Sequence, residues 1–260
     1  MKIGVFDSGL GGLVITKALI EALPQYDYLY YGDSAHLPYG DKTSGTILNY
    51  TLQAMKYLIQ NDCKLIIIAC NTATAITLRY IQQRFIPAYA PDIKVLGVVI
   101  PTVETAIEQN KTRIGVIATN ATVRSQIYTT ELLKLNPNCA ITEIAAPELV
   151  PAIENNDFAA VEHIARKYAA YFQNCQSLIL GCTHYPLAKD YFRRKLPNVS
   201  IISQDELMGA KLADYLNRHP EIETALTKSG KREFRVSHAD GQAQQVAKVL
   251  FEDIDICQAV

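Results

Sequence analysis

The sequence predicts an α/β fold of two pseudo-symmetric lobes, each a mostly parallel sheet flanked by helices, with the functional site between them. Three observations point there. Short apolar or β-branched runs alternate with longer stretches of helical periodicity, the pattern of parallel sheets covered by helices. Two segments also recur: LIIIACNT at 65–72 and SLILGCTH at 177–184 place their cysteines 112 residues apart, and IGV at 3–5 returns at 114–116, 111 residues on. A nearly constant offset means two copies of one unit. Finally, no Ser/Gly/Pro-rich linker or low-complexity segment separates the copies.

The elements follow in order. Residues 2–6 (KIGVF) read as a strand, and the apolar spacing after the glycines as a helix over 12–22. The Tyr-rich run 28–31 is the next strand, followed by a helix over 43–61. Strand 65–69 leads into a helix over 73–85. Strand 94–99 opens the second copy near residue 95, followed by a helix over 102–109. That copy continues with strand 113–117, helix 121–134, strand 139–144, helix 157–172, strand 177–181, helix 186–195 and strand 199–202. A helix over 205–217, strand 232–236 and a helix over 239–252 have no counterpart in the repeat, so this tail returns to the first lobe. The lobes are then 1–94 plus 206–260, discontinuous, and 95–205.

Composition excludes several function classes. The 260 residues are 49% hydrophobic, and 25 Lys+Arg against 26 Asp+Glu give a net charge of −1 with no block of either sign. No nucleic-acid or membrane partner is expected from such a balance. No stretch approaches the roughly 18 apolar residues of a membrane-spanning helix, and the start lacks a signal-peptide pattern, so a cytoplasmic location is expected. The six cysteines contain no C-x-x-C pair, which favours reduced thiols over a disulfide framework. Cys63, Cys139, Cys175 and Cys257 read as packing residues.

In open parallel sheets ligands bind at the carboxyl ends of strands. Four polar segments fall there: Asp7-Ser8-Gly9, Cys70-Asn71-Thr72, Thr119 to Thr122, and Cys182-Thr183-His184. In the repeat Cys70 matches Cys182 and Ser8 matches Thr119. Such small hydroxyl, amide and thiol groups suit a small zwitterion whose carboxylate takes N–H donors at helix starts. A thiol at a helix N-terminus is made more acidic by the backbone dipoles, and two such thiols on opposite sides of one carbon would form an acid–base pair able to invert it. Asp7 could equally cap the following helix, while His184 could donate a proton beside Cys182 or merely hold structure. Asp33 and Glu154 read as ordinary surface carboxylates.

Cofactor motifs fail. The loop SGLGG at 8–12 has an acid, Asp33, 21 residues beyond its last glycine, but the dinucleotide fingerprint needs glycine where Val14 stands. No phosphate-loop motif occurs, and a zinc site from Cys70, Cys182 and His184 has weak support from single, scattered ligands. No cofactor or metal is expected.

Five segments carry a family resemblance: IGVFDSGLGGL at 3–13, YGDSAHLPYG at 31–40, ACNTATA at 69–75, IGVIATNATVRS at 114–125 and LGCTHYPL at 180–187. In order and spacing they resemble the glutamate racemases, over most of residues 1–190. The resemblance implies a cofactor-independent racemase with two pseudo-symmetric lobes, working as a homodimer and making D-glutamate for peptidoglycan. It implies that Cys70 deprotonates the D-isomer and Cys182 the L-isomer, assisted by Asp7, Asp33, Glu154 and His184. It places substrate contacts on Ser8, Pro38, Tyr39, Gly40, Asn71, Thr72, Thr119, Thr122 and Thr183. His36 departs from the arginine usual before LPYG, Ala118 from a glycine, Ala146 from a cysteine, and VVIPTV at 98–103 from a glycine-containing segment. Alternatives are aspartate racemisation by the same chemistry, a hydrolase with one cysteine nucleophile and His184 as base, and a non-catalytic binding protein.

Overall fold

The computed structural model describes residues 1–239 and 256–259. The chain divides into two compact units, 1–98 with 208–260, and 99–207.

In the first unit β1 (Lys2–Asp7) leads to α1 (Gly12–Ala22), β2 (Tyr28–Gly32), α2 (Ser44–Gln60), β3 (Cys63–Ile68) and α3 (Asn71–Tyr80). A π-helical turn over Ile81–Phe85 and the short α4 (Ile86–Tyr89) lead to β4 (Lys94–Gly97). β1 is buried from Ile3 onward and β3 from Leu65 onward. Continuous apolar burial marks interior parallel strands with both faces covered.

The second unit runs α5 (Val99–Glu108), β5 (Arg113–Ala118), α6 (Asn120–Ser125), α7 (Ile127–Leu135), β6 (Ala140–Ala145), α8 (Leu149–Glu154), α9 (Phe158–Ala169), β7 (Ser177–Gly181), α10 (Lys189–Lys195) and β8 (Ser200–Ile202). Its core joins β7 to α9 and α10 through Leu178, Leu180, Ile164, Phe172 and Phe192. α11 (Gln204–Arg218) then carries the chain back to α12 (Pro220–Glu223), β9 (Arg232–Val236) and β10 (Ile256–Gln258) of the first unit.

The first sheet has order β10-β9-β2-β1-β3-β4 and the second β6-β5-β7-β8, and every pairing is parallel. The repeat extends to register: Ile3 pairs with Leu65 and Val5 with Ile67, while their equivalents Ile114 and Val116 pair with Ser177 and Ile179. Equivalent apolar runs therefore end at equivalent heights, and the cysteines two residues beyond Ile68 and Leu180 occupy equivalent positions.

Four features differ from the sequence expectations. The strand assigned to the start of the second lobe is β4, whose Lys94–Gly97 pair with Leu65–Ile68, so it belongs to the first sheet and the division falls after Val98. α5 begins at Val99 rather than 102, because Pro101 sits in the first turn, where the missing N–H has no carbonyl to reach. The helix expected over 121–134 is two helices, broken at Gln126, whose φ is 53°. There Ser125 Oγ donates to Thr122 O and accepts from Ile127 N, competing with the helical ladder. α8 and β10, short and without clear periodicity, had no sequence signal. The helix expected over 239–252 lies, but for Ala239, outside the described residues.

Candidate active site

Chain direction and helix capping build the cluster of the first unit. β3 delivers Ala69 and Cys70 to the start of α3, where Cys70 is the N-cap: its Sγ accepts the Ala73 N–H at 3.4 Å. A sulfur in this place faces the positive end of the backbone dipoles, which favours thiolate. Cys70 also shares a 3.4 Å hydrogen bond with Ser8 Oγ. Asn71 and Thr72, the first helical residues, are buried beside it.

Ser8 is held there by the turn after β1. Asp7 Oδ2 accepts N–H groups from Gly9 and Gly12, both at 3.0 Å, so the carboxylate organises the turn and the start of α1. A side chain at residue 12 would bring its Cβ to 2.4 Å from Asp7 Cβ, which is why a glycine stands at this close approach. The buried Tyr30 hydroxyl donates to Gly9 O at 2.5 Å. Burial, with Asp7 and Cys70 nearby, holds this phenol well above its ordinary pKa, so it stays a neutral donor. Sequence reasoning missed Tyr30, because inside a Tyr-rich strand nothing distinguishes a packing tyrosine from one that anchors a turn.

Asp33 is not a surface carboxylate, as read from the sequence, but buried. Tyr39 Oη donates to its Oδ2 at 2.6 Å, Ser237 Oγ to its Oδ1 at 2.8 Å, and His36 Nδ1 lies 2.8 and 2.9 Å from the two oxygens. Tyr39 itself is buried, and burial first, then Asp33 and Cys70, pushes its hydroxyl far above the usual phenol range. The Leu37–Pro38 peptide is cis, Pro38 is exposed and Gly40 half-buried.

The cluster of the second unit is built differently. Thr119 caps α6, its Oγ1 accepting the Thr122 N–H at 3.3 Å and lying 3.0 Å from Thr122 Oγ1. Cys182 follows β7, but no α-helix starts beside it: a 3-10 turn over Tyr185–Ala188 intervenes before α10. The expected helix-dipole setting is thus absent for this thiol. His184 supplies the positive charge instead, with Nδ1 3.9 Å from Cys182 Sγ and Nε2 3.0 Å from Glu154 Oε1. The Nε2 contact is an ion pair rather than a straight hydrogen bond, since Nε2 lacks an aligned acceptor. Burial disfavours the imidazolium, yet Cys182 and Glu154 outweigh it and push His184 up to about 10. Glu154 ends α8 and is 30% exposed at its side chain, so the surface reading from sequence missed its charge partner. Thr183 is buried next to the thiol, and Tyr185 Oη reaches Ala118 O and Ala146 O at 3.2 and 2.8 Å, fixing the strand ends around Thr119.

The first unit therefore gathers Asp7, Ser8, Cys70, Asn71 and Thr72, with Asp33 and Tyr39 in a knot of their own, and the second gathers Cys182, Thr183, His184 and Glu154. Among the described residues no cluster of three His, Cys, Asp or Glu side chains is arranged to hold a metal. Nor is any described helix long and apolar enough to cross a membrane.

Comparison with known proteins gives a consistent result. The chain is 38% identical to the glutamate racemase of Ruegeria pomeroyi over 238 residues, covering 85% of this chain and 87% of that protein. A glutamate racemase crystal structure from Bacillus anthracis matches with a TM-score of 0.89 at 30% identity, covering 100% of this chain and 97% of the other. That of Francisella tularensis, solved with D-glutamate, matches with a TM-score of 0.86 at 35% identity, covering 99% and 95%. The sequence profile of the Asp/Glu/Hydantoin racemases matches residues 3–207. A profile match over most of the chain, with two repeat-equivalent strand ends that each carry a buried thiol, establishes that the chain belongs to the Asp/Glu/Hydantoin racemase family, whose members are isomerases.

Proposed function

We propose that this enzyme interconverts L- and D-glutamate by a two-thiol mechanism and supplies D-glutamate for peptidoglycan in the cytoplasm, as a homodimer. The observation that carries the mechanism is the equivalence of Cys70 and Cys182, which end runs in matching register within matching sheets. Glutamate as substrate is supported by similarity to curated and structurally characterised glutamate racemases, one of them solved with D-glutamate.

In this reading the Cys182 thiolate removes the α-proton of L-glutamate while the Cys70 thiol returns a proton to the opposite face; the reverse reaction exchanges the roles. The reading requires that both sulfurs reach one α-carbon. Ser8, Asn71, Thr72 and Thr183 hold the α-carboxylate and ammonium, and the 38–40 and 119–122 segments hold the side-chain carboxylate. With no pyridoxal ring as electron sink, oriented donors in a water-poor site must stabilise the carbanion. Asp7 organises the donors around Cys70, the Glu154–His184 pair keeps a positive charge at Cys182, and Asp33 anchors Tyr39.

The test is to incubate the purified enzyme with L-glutamate, and separately L-aspartate, in heavy water, following optical rotation and the α-proton by NMR. Loss of rotation with deuterium at Cα of the glutamate product, independent of added pyridoxal phosphate or metal, is expected. Retained protium in the product rules out the two-base scheme, and faster exchange with aspartate overturns the substrate assignment.

A further inference from the structure

His36 is the feature that the proposed chemistry leaves unused. Its ring is locked on two sides. One face stacks on Tyr50 of α2, with ring centroids 3.9 Å apart and planes 18° apart, while Nδ1 points at both oxygens of Asp33 at 2.8 and 2.9 Å. A carboxylate only accepts, so Nδ1 carries the hydrogen whatever the ring's charge. Asp33 in turn receives Tyr39 Oη at 2.6 Å and Ser237 Oγ at 2.8 Å, which ties the 33–40 loop to the end of β9. Further bonds repeat the tie: Ser237 N to Gly32 O at 2.9 Å, Ala35 N to Ser237 Oγ at 2.9 Å and Ser34 Oγ to His238 O at 2.7 Å.

We propose that His36 is a positioning residue for substrate binding: by donating Nδ1–H to Asp33 it fixes the carboxylate that holds Tyr39, and through Tyr39 the 38–40 segment. The terminal torsion of an aspartate is intrinsically broad, so its orientation depends on its donors. His36 reaches both oxygens and resists rotation in a way that neither single-oxygen donor does. Because its side chain is 37% exposed, it can be replaced with little disturbance of the core. The inference rests on the 38–40 segment binding the substrate's side-chain carboxylate.

Two variants separate the donor from the stack. His36→Phe keeps a ring against Tyr50 and removes the donor; His36→Asn keeps an N–H donor at the position of Nδ1 and removes the stack. The KM for glutamate is expected to rise about fivefold or more in His36→Phe with kcat within about twofold, and to return towards the parent value in His36→Asn, the pattern of lost ground-state binding. Amide exchange over residues 34–42 should accelerate about tenfold in His36→Phe only. A His36→Phe enzyme with parental KM and parental loop exchange overturns the proposal, as does a defect confined to kcat, or an Asn variant no better than Phe. The exchange measurement needs no turnover, so a parent enzyme inactive on glutamate would sink the functional assignment while leaving the role of His36 in ordering the loop separately readable.

Discussion

Cys70 and Cys182 hold the same place in the repeat and reach reactivity by different physics. Cys70 is an N-cap: Ala73 N–H and Ser8 Oγ meet its sulfur, and the dipoles of the ten-residue α3 point at it. Cys182 has no such helix, and a buried imidazolium, itself held by Glu154, stands beside it. A duplicated fold conserved where the thiol is presented, and not how its charge is managed. The first environment draws on a backbone N–H and the dipoles of α3; the second depends on one titratable ring.

The largest test of the equivalence is removal of either sulfur. Cys70→Ala and Cys182→Ala should each lower kcat/KM by about three orders of magnitude or more without unfolding the chain, as groups acting as a unit do. A variant retaining a tenth of parental activity would break the symmetry between the halves. Next, His184→Asn should reduce kcat/KM by about a hundredfold, within the usual range for a positioned acid or base. In that variant alkylation of Cys182 by iodoacetamide, read by peptide mass, should slow while that of Cys70 stays unchanged. Equal slowing at both thiols would mean that the environments are coupled rather than distinct.

Stability against pH sharpens the comparison further. His184 has its folded pKa raised from 6.5 to about 10, so its contribution is fully present below about 6.5 and is lost as pH rises through about 10. Thermal melts should show the parent's advantage over His184→Leu shrinking between these limits. Asp27 of the first unit behaves oppositely. Although its burial alone would raise it, bonds from Thr227, Lys231 and Ser229 lower it from 3.8 to about 2. Its contribution, about 2 kcal/mol, is present above pH 3.8 and is lost as pH falls through about 2. Asp27→Asn should lower the urea midpoint at pH 7 and speed amide exchange around 227–231, with His184 and Cys182 unaffected.

Much of the scaffold was legible because buried parallel strands are continuous apolar runs: the nine strands expected from residues 2–236 are all present, with ends shifted by two residues or fewer. The exceptions show what a linear reading lacks. β4 was given to the wrong lobe because its residues say that it is a strand and not which neighbour it pairs with. Glu154 looked like a surface carboxylate because its partner His184 lies 30 residues away, and Asp33 did because its burial is set by the fold, which adds Ser237, 204 residues away, to the nearby His36 and Tyr39. The break at Gln126 came from a serine competing with its own helix, a local event within an otherwise acceptable helical pattern.

Sequence by itself determined the two-copy α/β architecture, the parallel strands and the placement of a thiol after equivalent strands, because periodicity and repetition are properties of the chain alone. Tertiary structure decided the rest: that Cys70 caps a helix and Cys182 faces a paired imidazolium, that Asp33 is buried under Tyr39, His36 and Ser237, and that β4 closes the first sheet. The physical reason is that charge state and hydrogen bonding depend on which groups share a few ångströms of low-dielectric space, and folding, not spacing along the chain, sets that proximity.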